Sequence, residues 1–226
     1  MRSTLALTIL IMLVSGSALA QDVETDKGKL SYAVGWDIGA DIKRRSTEFD
    51  VESLIAAIRD VVAENEPRVS ADEMRLLLTE LQEKVRAEQL EQFRQLSEKN
   101  LAESEAFLEA NKSKTGIVVL PSGVQYRIIE EGDGARPNLE SRVSVHYRGS
   151  KMDGREFDSS FARGTPEEFT VNGVLQGWQE VLPLMKAGST WQIFVPPELA
   201  FGARGNPPVG PNEALMFDIK LVEILP

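Results

Sequence analysis

The chain has no cysteine and only one histidine in 226 residues. Without thiols there is no disulfide framework, no thiol nucleophile, no cysteine-ligated zinc and no cysteine lipid anchor. With His146 alone and no clusters of metal-ligand spacing, no metal and no other cofactor is expected. Glu130, Glu131 and Asp133 sit in a turn but lack the spacing of a calcium loop. A basic footprint is missing too. The net charge is −10, which excludes the electrostatic basis of nucleic-acid binding. Beyond the N-terminal leader no apolar run is long enough to span a bilayer, and there is no internal repeat or low-complexity tract.

What is present begins with that leader. Arg2 supplies a positive charge, Leu5 to Val14 a short apolar core, and Ala18-Leu19-Ala20 a small-residue cleavage site. This is the pattern of a cleavable secretory signal over residues 1–20. It predicts an exported, periplasmic protein without a stable membrane anchor, and does not by itself separate the periplasm from secretion or association with an outer membrane. Without disulfides, such a protein holds its fold by packing alone.

The acidic excess is concentrated between Gln21 and Ser113, so the two parts of the chain differ in charge. Lys29 to Ile42 places Leu30, Ala33, Val34, Ile38 and Ile42 at helical spacing, with Gly35 and Gly39 four apart. That glycine spacing suits close approach of a second helix, at a propensity cost of about 1 kcal/mol for each Gly. Val51 to Ala63 presents Leu54, Ile55, Ile58 and Val61/Val62, and Pro67 then breaks the chain. Ser70-Ala71-Asp72-Glu73 is a capping box. From there to about Ala110 there is no Pro and no Gly, and some forty helical residues span roughly 60 Å. The apolar positions drift without a sustained heptad. A solvated rod is expected beyond Phe93, with docking on a partner subunit near Met74 to Val85. A unit of some 45 residues is too small to be stable alone without staples, metal or association. Association is the remaining route. Residues 21–66 are therefore read as a helical dimerisation domain, 67–113 as a long connecting helix, and residues 21–90 as the contact region of an intertwined homodimer.

From about Lys114 to Pro226 the period shifts to two. Strands are predicted at Val124 to Glu130, Arg142 to Tyr147, Glu168 to Val171, Thr190 to Val195 and Ala214 to Leu225. One helix interrupts them, Gly177 to Met185, stopped near Gly188. The predicted class is α+β, an antiparallel sheet with a helix across it. Alternation places Val143, Val145 and Tyr147 on one strand face. A turn at Asp153-Gly154 returns Phe157 and Asp158 toward Tyr147, making an apolar pocket with one acid in its wall. That composition suits an uncharged, ring-shaped side chain. An ionised carboxylate beside buried rings costs several kcal/mol unless it is satisfied, and Arg163 is close enough in sequence either to pair with Asp158 or to remain a solvated rim residue. His146 points away from the Tyr147 face and is expected to face solvent, leaving Ser159 and Ser160 without a histidine partner for a triad.

These residues resemble a known family. Val-His-Tyr-Arg-Gly (145–149), Phe-Asp-Ser-Ser (157–160), Val-Leu-Gln-Gly-Trp (174–178), Leu-Ala-Phe-Gly (199–202) and Gly-Pro-Asn-Glu-Ala-Leu-Met-Phe (210–217) occur in that order. Residues 114–226 thereby resemble an FKBP-type peptidyl-prolyl cis-trans isomerase domain. Lys29-Leu30-Ser31-Tyr32 with Gly35 and Gly39, and Ala106-Phe107-Leu108 with Asn111-Lys112, extend the resemblance to the macrophage infectivity potentiator and periplasmic FKBP chaperone group. The resemblance implies a half-barrel sheet wrapped on a short helix, with a proline pocket floored by Trp178. It implies walls of Tyr147, Phe157, Phe169, Val174, Leu175, Val209 and Phe217, an acid at Asp158, and a carbonyl contact at the Leu175 N–H. The family usually has tyrosine at the position of Phe201, whose missing hydroxyl implies some loss of catalysis and weaker macrolide binding. The loop Ala203 to Pro208 is expected to hang over the site and tune specificity. Two functions follow: an isomerase assisting the folding of exported proteins, with chaperone activity from a V-shaped homodimer that grips unfolded or proline-containing clients, or a non-catalytic chaperone or surface-binding module using the same pocket.

Overall fold

The computed structural model describes residues 23–44 and 48–226. The expected signal, residues 1–20, lies outside the described residues. The chain divides into two compact units, with the boundary between Arg75 and Leu76.

The first unit is helical. Helix α1 runs Asp26–Arg44, with Asp26 in its first turn and Lys43 and Arg44 in its last, both favourable to the helix dipole. Helix α2, Val51–Val62, is capped by Asp50, whose carboxylate accepts from the Ser53 N–H at 2.7 Å. Helix α3, Ala71–Lys112, begins in this unit and from Leu76 onward belongs to the second; it starts at Ser70, whose hydroxyl accepts from the Glu73 N–H at 3.2 Å. Neither α1 nor α2 buries a side chain.

The second unit is an antiparallel sheet with a helix packed on one face. Its strands are β1 (Val118–Val119), β2 (Gln125–Glu130), β3 (Arg142–Lys151), β4 (Glu156–Ser159), β5 (Glu167–Thr170), β6 (Thr190–Val195) and β7 (Leu215–Leu225). They run in the order β1-β2-β6-β7-β3-β4, with β5 also paired to β3. Helix α4, Ser160–Arg163, follows β4, and helix α5, Gln176–Val181, lies against the sheet. The period-two faces hold: Val143, Val145 and Tyr147 point inward, as do Leu215, Phe217, Ile219 and Leu221. Trp178, Val181, Leu182 and Met185 complete the core from the helix side.

Three expectations need correction. Helix α5 ends at Val181 and continues only as a 3-10 turn, Leu182–Leu184, because Pro183 has no N–H to donate. Strands β1 and β4 were not expected; β4 carries Phe157 and Asp158 and pairs with β3 by a shifted register between Gly149 and Ser150. The solvated rod beyond Phe93 is also overturned. Asn100, Ser104, Leu108 and Asn111 are buried, one face at helical spacing. Leu108 packs with Phe194 and Ala214. Asn111 donates to the Gln125 side chain at 2.9 Å, and Gln125 in turn donates to the Leu108 carbonyl at 2.8 Å. The contact stripe is mostly polar, so an apolar count does not register it.

Two glycines let the layers close. A Cβ on Gly177 would stand 2.5 Å from Val195 Cγ1, and one on Gly149 would stand 2.7 Å from the Phe157 ring. We expect Gly177→Ala to lower the unfolding free energy by about 1–3 kcal/mol through overpacking. Gly173→Ala, where nothing lies within 4 Å, is expected to stay within about 0.5 kcal/mol of wild type. Urea unfolding followed by fluorescence measures both, and equal effects would refute the close-packing account.

Candidate active site

Trp178 is brought to the centre of the second unit by the approach that Gly177 permits, and only 4% of its surface is exposed. Ring edges surround it. Tyr147 lies at 5.3 Å and 77°, Phe217 at 5.2 Å and 89°, and Phe169 at 6.2 Å and 85°. Phe157 meets Phe217 edge-on at 5.8 Å. Edge-to-face contacts of this kind contribute about 0.5–1.5 kcal/mol each beyond area burial. Val209 is buried in the same cluster, and Phe157, Phe169, Val174, Leu175 and Phe201 are half-buried around it. The structure thus gathers all nine apolar residues singled out from the sequence. Leu175 is the N-cap of α5, and no loop or turn hydrogen bond is donated by its N–H. The Trp178 indole N–H has no partner either, but the same is true of Trp191, which stacks on Tyr126 at 4.5 Å; an orphaned indole is therefore not in itself the mark of a site here.

The acid is attached through Tyr147. The Tyr147 hydroxyl donates to Asp158 Oδ2 at 2.5 Å, and Arg163 Nη1 donates to Asp158 Oδ1 at 2.5 Å. Arg163 also donates to the Tyr147 hydroxyl at 3.0 Å and to Glu167, and its guanidinium lies 5.6 Å from the Tyr147 ring centre. Of the two positions open to Arg163, the structure has the ion pair. Glu167 was missed from the sequence. It stands two residues before Phe169 on β5, and period two, applied to that strand, places the two on one face.

Burial pushes the Asp158 pKa up, but the Tyr147 hydroxyl, the Arg163 guanidinium and the Ser159 N–H outweigh it, and the carboxyl is held below its ordinary value. Burial and the hydrogen bond to Asp158 push Tyr147 up to about 12, against a smaller lowering by Arg163. Arg163 is raised, by Asp158 first and then Tyr147. At neutral pH the cluster is a neutral phenol held between fixed charges.

His146 departs from expectation. It points to the other sheet face, but it stacks on Phe161 at 4.7 Å and 13°, and its Nδ1 lies 3.1 Å from Ser160 Oγ. Ser160 therefore does have a histidine partner, because β3–β4 pairing brings together residues 14 apart in sequence. No triad results. Ser160 is fully buried, and its hydroxyl accepts from the Tyr147 N–H at 2.7 Å. Ser159 caps α4 through the Ala162 N–H. Among the described residues there is no group of His, Cys, Asp and Glu placed to hold a metal ion.

Comparison with known proteins places both units. Residues 27–128 match the family model for the domain amino terminal to FKBP-type peptidyl-prolyl isomerase, and residues 134–222 match that of the FKBP-type peptidyl-prolyl cis-trans isomerase. The chain is 42% identical over 206 residues to the outer membrane protein MIP of Legionella longbeachae, covering 91% of this chain and 88% of that protein. It is 35% identical over 219 residues to the peptidyl-prolyl cis-trans isomerase Mip of Coxiella burnetii, covering 96% and 95%. The crystal structure of FkpA from Escherichia coli superposes with a TM-score of 0.73 at 30% identity, covering 90% of this chain and 98% of that one.

The two shifts imply opposite pH limits on stability. The lowered Asp158 value contributes stability that is complete above the ordinary carboxyl value of about 3.9 and is lost as pH falls through the lower folded value. The raised Tyr147 value contributes stability that is complete below about 10 and is lost as pH rises toward 12. We expect the difference in unfolding free energy between wild type and Asp158→Asn to be level between about pH 5 and 9 and to shrink below about pH 4. A difference that instead grows on acidification would contradict the charge assignment.

Proposed function

The chain belongs to the FKBP-type peptidyl-prolyl cis-trans isomerases, and from that premise we propose that Trp178 floors its proline-binding site, with Tyr147, Phe157, Phe169, Val174, Leu175, Phe201, Val209 and Phe217 as walls, Asp158 as the acid and Arg163 at the rim. The supporting observation is a single one: an indole ringed by aromatic edges, with an ionised carboxylate beside it and no available nucleophile. An X–Pro bond rotates over a barrier of about 18–20 kcal/mol set by amide resonance. No covalent bond is broken, so neither nucleophile nor metal is required. The twisted amide has lost conjugation and is less polarised than the planar one, so an apolar site favours it relative to the ground state. Holding the ring on Trp178 and the flanking chain at the Leu175 N–H adds orientation. Asp158 acts as a fixed charge that orients Tyr147 and Arg163 or a substrate donor, since no proton has to be removed. The same pocket accepts a macrolide, more weakly for want of a hydroxyl on Phe201.

The proposed division is a signal at 1–20, a dimerisation domain at 21–66, a connecting helix at 67–113 and an isomerase domain at 114–226. Dimerisation is supported by the apolar surface that α1 and α2 leave uncovered, including Leu30, Trp36, Val61 and Val62, each at least 67% exposed. A homodimer through residues 21–90 presents two isomerase domains to one client, so that avidity assists chaperone action on unfolded or proline-containing chains. Export to the periplasm follows from the leader and accords with the outer-membrane name of the Legionella relative; no helix of the described residues is long and apolar enough to cross a membrane. The second reading, a non-catalytic chaperone or surface-binding module, uses the same pocket.

A protease-coupled assay on a Phe-Pro peptide tests the proposal. Asp158→Leu is expected to lower kcat/KM about tenfold, the loss of roughly 1.4 kcal/mol of differential binding, while suppression of client aggregation persists. Wild-type protein that leaves the peptide at its uncatalysed rate would leave only the binding reading. For the dimer, Gly35→Ala meets nothing within 4 Å in its own chain and raises helix propensity by about 1 kcal/mol. If a partner helix covers Gly35, sedimentation at micromolar concentration should nonetheless shift from dimer toward monomer. Wild-type protein that sediments only as monomer would remove the dimer.

A further inference from the structure

Helix α3 reaches the pocket by way of a loop. Three of its residues, Ser97, Asn100 and Ser104, lie on one face at spacings of three and four. Asn100 donates to the Pro211 carbonyl at 2.8 Å. Ser104 donates to the Asn212 carbonyl at 3.0 Å and accepts from the Ala214 N–H at 2.8 Å. The Asn212 side chain donates back to Ser97 Oγ at 2.8 Å. The segment they hold, Phe201 to Ala214, carries two pocket residues, Phe201 and Val209.

This segment is closed on itself, so its parts move together. The Asn212 N–H donates to the Gly202 carbonyl at 2.9 Å, tying the two feet. Asn206 and Val209 exchange backbone hydrogen bonds of 3.0 and 2.8 Å at the tip. The Gly210 N–H donates to the Glu213 carboxylate at 3.0 Å, and Lys151 pairs with the same carboxylate at 2.9 Å. Only Gly210 separates Val209 from the first clamped residue, Pro211. On the helix side, Asn100 and Ser104 are buried, at 7% and 3% exposure. Were the loop to shift, all four hydrogen bonds between helix and loop would break together. The helix therefore favours one loop position strongly over others.

We propose that α3 is a working part of the isomerase site: Ser97, Asn100 and Ser104 are positioning residues that set where the Phe201–Ala214 loop places Phe201 and Val209 against the substrate. The inference rests on the isomerase reading. It assigns substrate grip, not the chemical step, to the helix, because the loop contributes wall residues that touch ground state and transition state alike. Loss of uniform binding raises KM with kcat unchanged.

The test uses the full mature chain and the Phe-Pro peptide. Ser104→Ala and Asn100→Leu are expected to raise KM about fivefold with kcat within about twofold of wild type, the signature of lost uniform binding. Amide exchange at Asn206 and Val209 should accelerate in the same variants. Ser104→Thr, which keeps the hydroxyl, should retain the wild-type KM. Asn111→Ala is the structural control, since it removes a buried hydrogen bond of the same helix, to Gln125, and none of the contacts to the loop; it should lower Tm and leave KM unchanged. Should Asn100→Leu fail to fold, Ser104→Ala and the milder Ser97→Ala carry the test. Unchanged KM and loop exchange in folded Ser104→Ala, or equal kinetic effects of Asn111→Ala, would overturn the inference. A wild-type chain without turnover would instead overturn the isomerase reading, so the two failures are distinct.

Discussion

The second unit depends on a helix being able to lie almost against a strand. At Gly177 there is no side chain, and a Cβ would stand 2.5 Å from Val195. That close approach sets the height of the next residue, Trp178, over the sheet. At that height the indole meets the edges of Tyr147, Phe217 and Phe169. Gly149 supplies the matching gap in β3, where Phe157 and Phe217 close in. Phe157, Phe169 and Phe201 lie half-buried around this cluster.

An ionised carboxylate at the edge of such a cluster needs compensation. Tyr147 and Arg163 both donate to Asp158, and the pKa directions agree: the acid is lowered, the phenol and the guanidinium raised. In the proposed site the acid is therefore a fixed charge and not a proton carrier, since a general acid or base works best with a pKa near the operating pH. Asp158, charged at neutral pH, holds the Tyr147 hydroxyl and the Arg163 guanidinium in place. Glu167 adds a second carboxylate on Arg163, so the guanidinium is held from two sides and its place over the Tyr147 ring is not left to one pair.

Much of this was legible in the sequence, for identifiable reasons. Helices α1 and α2 are written in apolar spacing, and α3 in the capping box at Ser70 and the absence of Gly and Pro from there to about Ala110. The inward faces of β3 and β7 follow from strict alternation. What was not legible depends on partners far away in the chain. The stripe of Asn100, Ser104 and Asn111 is polar, so hydropathy describes it as a solvated face, and only loop 201–214 and Gln125 turn it into an interface. The contact of His146 with Ser160 requires the β3–β4 register, which a bulge at Gly149/Ser150 shifts. Glu167 was within reach of period-two reasoning but was passed over, because a strand of four residues offers too few positions to establish its phase.

The first unit poses the complementary problem. Its helices are well formed, with sound caps and dipole-matched ends, yet α1 and α2 bury no side chain. A helix of 12 to 19 residues is marginal in water on propensity alone, and most helical stability in proteins comes from burying an amphipathic face. Residues such as Trp36 at 69% exposure and Val62 at 80% are therefore a deficit that the chain does not make good by itself. Gly35 and Gly39, each with nothing within 4 Å of an added Cβ among the described residues, lower helix propensity. Glycine at those positions leaves room for the close approach that the proposed homodimer requires. In that proposed homodimer the occupant is a second copy of the same helix, which brings the same small-residue face and the same uncovered apolar surface.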